Sequence, residues 1–566
     1  MDETCGHGPW GRRQSRTLKL LGLMAICFAL LTIQVARRQL VEGRRLAQQA
    51  LAQRAQEFPL AVARGEILDR NGISLTGTTY RYSAVVFPTL IHDKSGTAAS
   101  IAAMLGVDRG KTFEELLGNG PPVVIAAGLT EAAVGAVRKA ALPGVIAVRE
   151  KVRYGPESMA HHLVGYINNA LDNQGQDGLE REYDRRLRGG RPEAVQAFVD
   201  ANRQPISGLG LRVQLPGEGG AVTGGPQTVV TTIDARIQRI VEEVMDEMVP
   251  RGAVVIVDPR TGDILAMASR PDFDPNDVGA YLHSTDSPLV NRAVKGYPPG
   301  SVFKVVTAAA ALEAGVARPT DVFEDPGYID LQGHRYRCYK EGGHGRLSFA
   351  EAMALSCNPV FIEVGERVGS ARLVEMARRL GFGARLGLPL GQESPGNVPD
   401  EGAGLYDPNL SIGQGALLVT PVQVAQMMTA VANNGVVARL RLIKEIDDAE
   451  GVAVERGPEV RLSQAFSWLT GIRLRSMLRG VVLYGTGTAA EPAGTTAAGK
   501  TGSAETGRIG AGGEGVSHAW FAGYAPASNP RLVVTVFVEE GRAGGKAAAP
   551  VFKRIVERAL PLVGSR

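Results

Sequence analysis

The sequence predicts an α/β (α+β) layered fold, a sheet covered by helices, preceded by one membrane-spanning helix. Three observations support this prediction. The chain has 566 residues, which is too long for one hydrophobic core, so two or more domains are expected. Its carboxy-terminal part alternates between apolar runs typical of strands and longer runs typical of helices. Near the amino terminus, residues 20–36 contain no charged side chain.

The uncharged run, extended past Lys19 to Leu18, predicts a membrane anchor over residues 18–36, after a short tail of residues 1–17. Its length is at the short end of what spans a hydrocarbon core of about 30 Å. A cleaved signal peptide is the closest alternative. No small-x-small cleavage site follows the run, and Arg37 and Arg38 come directly after it, so an uncleaved anchor is favoured. Basic residues lie on both sides, so charge alone leaves the orientation open.

Two segments separate the anchor from the carboxy-terminal region. Residues 37–57 are rich in Arg, Ala, Gln and Leu and predict a juxtamembrane helix that is ended by Pro59. Residues 58–222 mix short strands, such as Tyr82–Phe87, with amphipathic helices, such as Thr130–Ala140. This composition predicts a separate domain of mixed α/β structure.

The end of this domain is marked by a glycine-rich linker over residues 217–226. Within the domain, His161 and His162 are adjacent, but no cysteine or acidic residue lies at metal-ligand spacing from them. Because an isolated histidine pair is usually structural, no metal site is predicted there.

Residues 223–566 form the predicted carboxy-terminal domain. Ala253–Val257 and Ile264–Ser269 flank an Asp-Pro-Arg-Thr-Gly turn and predict two strands joined tightly. Arg531–Val538 predicts a further strand, and Val551–Leu562 predicts a closing helix. Strands with helices before and between them are typical of an α/β layered domain.

The segment Gly296-Tyr-Pro-Pro-Gly-Ser-Val-Phe-Lys304 carries the most chemical information. Ser301 and Lys304 are three positions apart at the start of an apolar run, Val305–Leu312, which predicts a buried helix closed by Gly315. One helical turn separates the two side chains, so they share a face. An amine that burial keeps neutral can accept the serine proton. The pair therefore predicts a nucleophile with its own base.

Two further patterns strengthen this prediction. A lone Ser-x-x-Lys is weak, since a chain of this length contains about one by chance. Ser356-Cys357-Asn358 and Lys500-Thr501-Gly502 follow it, and each pattern occurs once, in the order S-x-x-K, S-x-N, K-T-G. This ordered set resembles that of penicillin-binding proteins and class A β-lactamases.

The resemblance to penicillin-binding proteins extends over nearly everything after residue 60. The last 340 or so residues are similar to the transpeptidase domain, and Arg64–Gly72 is similar to the signature that opens the class B, monofunctional members. The resemblance implies an antiparallel sheet covered by helices for residues 223–566 and a pedestal of the dimerisation type for residues 58–222. Further similar segments are Gly343-His-Gly345, Gly413-Gln-Gly415 and His518–Pro526.

The resemblance implies a peptidoglycan D,D-transpeptidase that works through a serine acyl-enzyme and binds penicillin covalently. In this class Ser301 attacks the carbonyl, and Lys304 is the expected proton acceptor. Ser356 is expected to pass a proton to the leaving amine, as a bridge to Lys500. Asn358 is expected to hold the backbone of the substrate peptide.

The third pattern implies the substrate-binding residues. Lys500 is expected to supply positive charge, and the hydroxyls of Thr501 and Ser503 to bind the terminal carboxylate of a peptide that ends in D-alanine. Gly502 is expected to let a substrate strand approach the edge of the sheet. Backbone N–H groups of Ser301 and Ser503 would form the oxyanion hole. No cofactor and no metal ion is expected to take part.

The implied substrates are peptidoglycan stem peptides, and β-lactams are the implied inhibitors because they resemble the scissile peptide. The implied partner is a membrane glycosyltransferase of the SEDS family. The implied location is the bacterial cytoplasmic membrane, with one span, with residues 1–17 as a cytoplasmic tail and with the catalytic domain outside. A nucleic-acid partner is not expected, since the net charge of +4 is small for this length.

Two alternatives stay open at this point. The first is a hydrolase, either a D-Ala-D-Ala carboxypeptidase or a β-lactamase, because water can replace the acceptor amine. The second is a membrane-anchored scaffold or β-lactam sensor. The anchor, the pedestal and the Arg64–Gly72 signature favour synthesis, and the intact motifs disfavour a vestigial site. The motifs do not distinguish elongation, division and sporulation, or identify the acceptor amine.

The cysteines form a separate question. Of the four, Cys338 and Cys357 fall in the part expected outside the cytoplasm, where disulfides persist. Two interpretations are open: two unrelated thiols, or a disulfide that ties the Arg337–Gly345 loop to the active-site wall as a redox switch. Sporulation-type class B members resemble this chain in their cysteine placement.

Overall fold

The structure is a computed structural model. It describes residues 9–43, 46, 55–118, 120, 122–168, 173–198, 211–214, 225–399, 406–509 and 513–564. The chain divides into two compact units. One unit comprises residues 1–60, 81–150 and 193–218, and the other comprises residues 61–80, 151–192 and 219–566.

The strands are numbered in chain order. They are β1 Ala55–Arg64, β2 Ile67–Leu68, β3 Thr79–Val86, β4 Val123–Ala127, β5 Val145–Val152, β6 Arg188–Phe198, β7 Leu211–Gln214, β8 Thr228–Thr231, β9 Gly252–Val257, β10 Ile264–Arg270, β11 Val322–Asp325, β12 Tyr328–Leu331, β13 His334–Arg337, β14 Gly345–Ser348, β15 Val436–Ala438, β16 Ile443–Asp447, β17 Ala453–Arg456, β18 Leu462–Gln464, β19 Ala498–Ile509, β20 Gly515–Ala525 and β21 Leu532–Val538.

The α-helices are named by their bounds. They are Pro9–Ala36, Lys94–Leu105, Arg109–Leu117, Glu131–Ala140, His161–Val164, Gly178–Glu182, Asp184–Leu187, Ala235–Met248, Lys304–Glu313, Phe349–Ala354, Asn358–Val368, Ser370–Arg379, Pro408–Ser411, Pro421–Ala432, Trp468–Leu483, Gly544–Ala547 and Ala549–Ala559.

The central sheet of the larger unit has the order β10-β9-β21-β20-β19, and every neighbouring pair is antiparallel. Successive residues of β9 enter two different hydrophobic clusters: Val255 joins one, and Val254 and Ile256 join the other. Because side chains alternate between the faces of a strand, both faces of this sheet are buried. The helices Lys304–Glu313 and Ala549–Ala559 contribute to opposite clusters. The predicted antiparallel sheet covered by helices is confirmed.

Several predicted elements are confirmed to within a few residues. The predicted strands of this sheet correspond to β9, β10 and β21, and the closing helix is Ala549–Ala559 followed by a 3₁₀ turn. In the smaller unit, β3, β4 and β5 form one sheet, and the helix Glu131–Ala140 is capped by the Thr130 side chain, which accepts a hydrogen bond from Ala133 N–H.

The amino-terminal helix Pro9–Ala36 contains the predicted anchor, and residues 16–41 have a mean hydropathy of 2.1 over their most apolar window. Apolar side chains along it are more than half exposed, which is suited to contact with lipid. A π-helical turn, Arg37–Val41, follows it.

The predicted juxtamembrane helix over residues 37–57 is wrong at its carboxy-terminal end. Residues 55–57 already belong to β1, which lies at the edge of the sheet β1-β6-β7. Pro59 lies inside this strand; an edge strand tolerates proline because one side of its backbone needs no partner. Residues 44–45 and 47–54 of the predicted helix, and most of the predicted 217–226 linker, lie outside the described residues.

The two compact units do not follow the predicted boundary at residue 222. Residues 61–80 and 151–192 belong to the same unit as residues 219–566. Strand β2 pairs in parallel with β8, and Asn291 donates to the carbonyl of His162. The carboxy-terminal unit therefore includes segments from the predicted pedestal.

Buried ion pairs hold these inserted segments together. Arg64 is almost fully buried and bonds to Glu180 at 2.6 Å and to Asp184 at 2.7 Å. Arg153 bonds to the other oxygen of Glu180. Since a buried charge without its partner is strongly destabilising, these residues constrain the unit tightly.

Candidate active site

Ser301 lies in a 3₁₀ turn, Gly300–Phe303, that runs directly into the helix Lys304–Glu313. Side chains three apart are eclipsed in such a turn, so Ser301 and Lys304 share a face as predicted. Gly300 has a φ of 54°, and a Cβ there would lie 2.4 Å from the carbonyl oxygen of Ser503. A glycine is therefore required where this turn meets β19.

The hydroxyl of Ser301 is partly exposed and has no hydrogen-bond partner among the residues that the structure describes. The structure thus records no hydrogen bond between the Ser301 hydroxyl and Lys304. An exposed hydroxyl is suited to attack on a bound substrate, and catalytic hydrogen bonds are often long before substrate binds.

Lys304 is completely buried and is oriented by the second motif. Its Nζ donates to the carbonyl oxygen of Ser356 at 2.7 Å and to Oδ1 of Asn358 at 2.6 Å, and lies 3.3 Å from Oγ of Ser356. Burial lowers the pKa of Lys304 to about 7, although the nearby thiols of Cys357 and Cys338 oppose this shift. Lys304 is therefore poised to be a neutral amine near neutral pH.

Lys500 is also completely buried, and its Nζ donates to Oγ of Ser356 at 2.9 Å. Burial and the charge of Lys304 hold the pKa of Lys500 well below its usual range. Within the described chain no carboxylate pairs with either lysine. The Ser356 hydroxyl therefore bridges two amines, and a positive charge on Lys304 disfavours a positive charge on Lys500.

Ser356 occupies a strained position. It lies in the turn between the helices Phe349–Ala354 and Asn358–Val368, with a φ of 57° that non-glycine residues rarely adopt. Such strain is retained where the surrounding structure over-determines the backbone, as it commonly does at active sites. The turn brings Ser356 to residues that are 52 and 144 positions away in sequence.

The third motif lies on β19, at the free edge of the central sheet. Thr501 and Ser503 are two apart and so face the same side. Gly502 also permits a close approach within the protein, and its predicted role toward a substrate strand stays a prediction. A Cβ there would lie 2.8 Å from Val302 and 2.9 Å from the carbonyl oxygen of Pro299. The absent side chain lets β19 approach the turn that carries Ser301.

Two contacts of this motif were not predicted from the sequence. Thr501 Oγ1 lies 2.6 Å from Oγ1 of Thr486, and Ser503 Oγ accepts from the N–H of Gly544 at 3.3 Å. Thr486 lies in a Gly-Thr-Gly segment, which indicates a tight loop but carries no signal for its contact with β19.

A second polar cluster adjoins the second motif. Ligand atoms of its members lie within 4.8 Å of one another, and the members are Asp325, Cys338, His344 and Cys357. Two thiols, an imidazole and a carboxylate are donors that Zn²⁺ prefers, so these residues could hold a metal ion. The sequence analysis missed Asp325 and His344, although the quoted Gly343-His-Gly345 pattern contains the histidine.

The two predicted disulfide cysteines are brought together in this cluster, but as free thiols. Their bridge therefore stays a prediction.

The adjacent residues His161 and His162 lie outside this cluster. His161 contacts Asp272 at 3.0 Å, and His162 contacts the carbonyl of Pro288 at 2.6 Å. These contacts account for both histidines without a metal ion.

Family models match both parts of the chain. The penicillin-binding protein transpeptidase domain matches residues 252–557, which is more than half of the chain, and the penicillin-binding protein dimerisation domain matches residues 59–219. The chain belongs to the penicillin-binding protein transpeptidase family. The dimerisation domain ahead of the transpeptidase domain identifies it as a class B penicillin-binding protein.

Curated relatives and solved structures agree with this assignment. The penicillin-binding protein is 32% identical to stage V sporulation protein D of Bacillus subtilis over 97% of this chain and 86% of the relative. It is 28% identical to peptidoglycan D,D-transpeptidase MrdA of Acinetobacter baumannii over 95% of this chain and 87% of the relative.

A solved peptidoglycan synthase complex, described as coordinating polymerization and crosslinking, contains a similar chain with a TM-score of 0.73 and 28% identity, covering 97% of this chain and 99% of that one. The D,D-transpeptidase domain of a peptidoglycan glycosyltransferase from Eggerthella lenta is also similar, with a TM-score of 0.64 and 26% identity. The match covers 89% of this chain and 100% of that chain. The penicillin-binding protein is accordingly a serine-type peptidoglycan D,D-transpeptidase, and the hydrolase and sensor alternatives are not favoured.

Proposed function

We propose that this penicillin-binding protein cross-links stem peptides through an acyl-enzyme on Ser301, with Lys304 as its base and Ser356 as the proton carrier. The observation that carries the proposal is the Ser356 hydroxyl, which lies within hydrogen-bond distance of the amines of both Lys304 and Lys500. A hydroxyl between two buried amines can receive a proton from one side and deliver it to a leaving group.

In the first step Ser301 Oγ attacks the carbonyl of the penultimate D-alanine, and neutral Lys304 takes the hydroxyl proton. The C–O bond forms, and the carbonyl oxygen becomes an oxyanion between the N–H groups of Ser301 and Ser503. Collapse breaks the C–N bond. Ser356 gives its proton to the leaving amine and regains one from Lys304, so the proton of Ser301 ends on the released D-alanine.

In the second step an amine of a neighbouring stem peptide attacks the acyl-enzyme. Lys304 accepts a proton from this amine through Ser356, the new amide bond forms, and the ester bond to Ser301 breaks. The proton returns to the Ser301 oxygen. A positive charge on Lys500 would stabilise the negative charge that develops, but burial and a charged Lys304 both disfavour that positive charge.

Substrate binding uses the open edge of the central sheet. Because β19 has a strand partner on only one side within the described part of the chain, an extended peptide can add to its other side through backbone hydrogen bonds. The hydroxyls of Thr501 and Ser503 then hold the terminal carboxylate, and Asn358 holds the peptide backbone. β-Lactams would occupy the same position and leave a stable ester on Ser301.

The proposed partner is a membrane glycosyltransferase of the SEDS family, with the catalytic domain outside the cytoplasmic membrane. Support comes from the candidate membrane span at residues 16–41 and from the similarity to a chain in a peptidoglycan synthase complex. Co-purification of the full-length chain with a SEDS protein, compared with a chain whose anchor is replaced by an unrelated span, tests this assembly.

A two-product assay tests the enzymatic proposal. The full-length protein is incubated with a stem pentapeptide donor and an amine acceptor, and the products are identified by mass spectrometry. We expect the cross-linked product to rise with acceptor concentration. Release of D-alanine with only the shortened donor, at every acceptor concentration, would show a carboxypeptidase instead. Formation of neither product would remove the proposal.

A further inference from the structure

Thr486 contacts the substrate-binding strand from outside the three motifs. It lies between the helix Trp468–Leu483 and the 3₁₀ turn Thr488–Ala490. Its Oγ1 is 2.6 Å from Oγ1 of Thr501, and the Thr501 side chain is largely buried. Thr486 is thus a direct neighbour of a hydroxyl that is assigned to the substrate carboxylate.

The backbone of Thr486 is held on two sides. Its N–H donates to the carbonyl of Ala354 at 3.0 Å, and a Cβ on Gly485 would lie 2.2 Å from that same carbonyl oxygen. A Cβ on Gly545 would lie 2.5 Å from the carbonyl oxygen of Thr486. Two glycines therefore permit close approaches that fix where the Thr486 hydroxyl lies.

The number of available hydroxyl protons decides which residue donates in the contact between Thr486 and Thr501. Each hydroxyl has one proton, and an ionised carboxylate can only accept hydrogen bonds. If Thr501 donated to Thr486, its lone pairs would face the carboxylate and repel it. If Thr486 donates to Thr501, the Thr501 proton is free for the carboxylate. Substrate binding thus requires Thr486 to be the donor.

We propose that Thr486 is a positioning residue that donates its hydroxyl proton to Thr501 and thereby aims the Thr501 hydroxyl at the carboxylate of the donor peptide. The inference rests on the proposed function. The Ser503 hydroxyl proton is also left free for the carboxylate, because the Ser503 oxygen accepts a hydrogen bond from the N–H of Gly544. The hydroxyls of Thr501 and Ser503 are then both free to donate to the carboxylate. The Ser503 oxygen accepts a hydrogen bond from a backbone group, and the Thr501 oxygen accepts one from Thr486.

The test compares two substrates on the same preparation of full-length protein. One is an acylated D-alanyl thioester whose leaving group ends in a free carboxylate, and the other is its methyl ester. We expect Thr486→Val to slow acylation by the free acid about three- to tenfold, as for one lost hydrogen bond. We expect no change for the methyl ester. The ratio of the two rates is independent of the folded fraction.

Three controls separate positioning from a structural effect. Thr486→Ser keeps the donor and should restore the ratio of the wild-type protein. Thr488→Val alters an exposed threonine of the same loop and should leave both rates unchanged. In a Thr501→Val background, Thr486→Val should cause no further loss, because its effect passes through Thr501.

Three outcomes would overturn the positioning role: equal slowing of both substrates, no slowing of either, or the full Thr486→Val loss in the Thr501→Val background. The proposed function fails in a different way. If the wild-type protein is acylated by neither substrate, the assignment of Ser301 as the nucleophile is wrong.

Discussion

Ser356 and Cys357 are adjacent in sequence but belong to two polar clusters of opposite character. The Ser356 hydroxyl contacts the amines of Lys304 and Lys500. The Cys357 thiol instead donates to the carboxylate of Asp325 at 3.1 Å. The first cluster combines two amines, with no carboxylate partner in the described residues, whereas the second combines a carboxylate with thiols and an imidazole.

The difference shows how burial acts on opposite charges within one unit. For Lys304, burial dominates and lowers the pKa to about 7. For Asp325, burial raises the pKa, but hydrogen bonds from His344 and the thiols outweigh it and lower the pKa to about 2. One cluster thus favours a neutral amine, and the other favours a negatively charged carboxylate. The comparison predicts large catalytic effects from the first cluster and small ones from the second.

The largest effect is expected for Ser301→Ala, which removes the proposed nucleophile. Covalent labelling by a fluorescent penicillin should be abolished, while circular dichroism and membrane insertion stay as in the wild-type protein. Ser463→Ala, an exposed serine on β18, is the matched control and should label normally. Labelling that survives Ser301→Ala would mean that another residue is acylated.

The next largest effect is expected for Lys304→Arg, because a guanidinium stays protonated and cannot act as a base. Acylation should slow by about 10²- to 10⁴-fold, the usual contribution of a general base. This rate is measured by quenching the reaction with penicillin at set times and quantifying the acylated protein. A variant within a few-fold of the wild-type rate would exclude Lys304 as the base.

The pKa of Lys304 predicts how the acylation rate of the wild-type protein depends on pH. Because the neutral amine of Lys304 is the proposed base and its pKa is about 7, acylation should rise as pH increases through 7 and then level off. Rate constants between pH 5.5 and 9 check this. A rate that falls over this range would mean that the protonated lysine is the active form.

A smaller effect is expected for Thr501→Val, which keeps the side-chain volume but removes a carboxylate-binding hydroxyl. Loss of a hydrogen bond to a charged group costs about 1.5–3 kcal/mol, so acylation efficiency should fall about ten- to a hundredfold. The value of kcat/KM for a thioester substrate measures it. An unchanged value would show that Thr501 does not contact the carboxylate.

The smallest catalytic effect is expected from the second cluster. In the reduced protein, Cys338→Ser removes a thiol that raises the pKa of Lys304, so the midpoint of the pH profile measured with reductant should move to lower pH, by less than one unit. Acylation on the plateau should stay near the wild-type rate. A large loss on the plateau would mean that the second cluster also takes part in the chemistry.

The state of the cysteines is a separate measurement. We expect peptide mapping of the exported protein without reductant to yield a linked Cys338–Cys357 peptide, with the bridge stabilising the fold by about 3 kcal/mol. Two free thiols would remove the disulfide for that state. Two free thiols together with one equivalent of bound zinc would identify the cluster as a metal site instead.

Local patterns predicted the elements whose signal is continuous along the chain. The apolar runs of β9, β10 and β21 predict strands because both faces of the central sheet are buried. The juxtamembrane prediction was wrong at residues 55–57, since a helical composition was overridden by pairing in the sheet β1-β6-β7. Strands β11 and β14 have four residues each and are partly exposed, so their hydrophobic patterns are too short to predict strands.

The sequence by itself determined the spacing of Ser301 and Lys304 and their shared face, because a spacing of three is a local property of one helical turn. It also determined the ordered motifs and the candidate membrane span. Only the tertiary structure decided that Ser356 bridges Lys304 and Lys500, that Thr486 contacts Thr501, and that four scattered ligands meet beside Cys357. Those contacts depend on strand order and on how distant segments pack, which no local periodicity encodes.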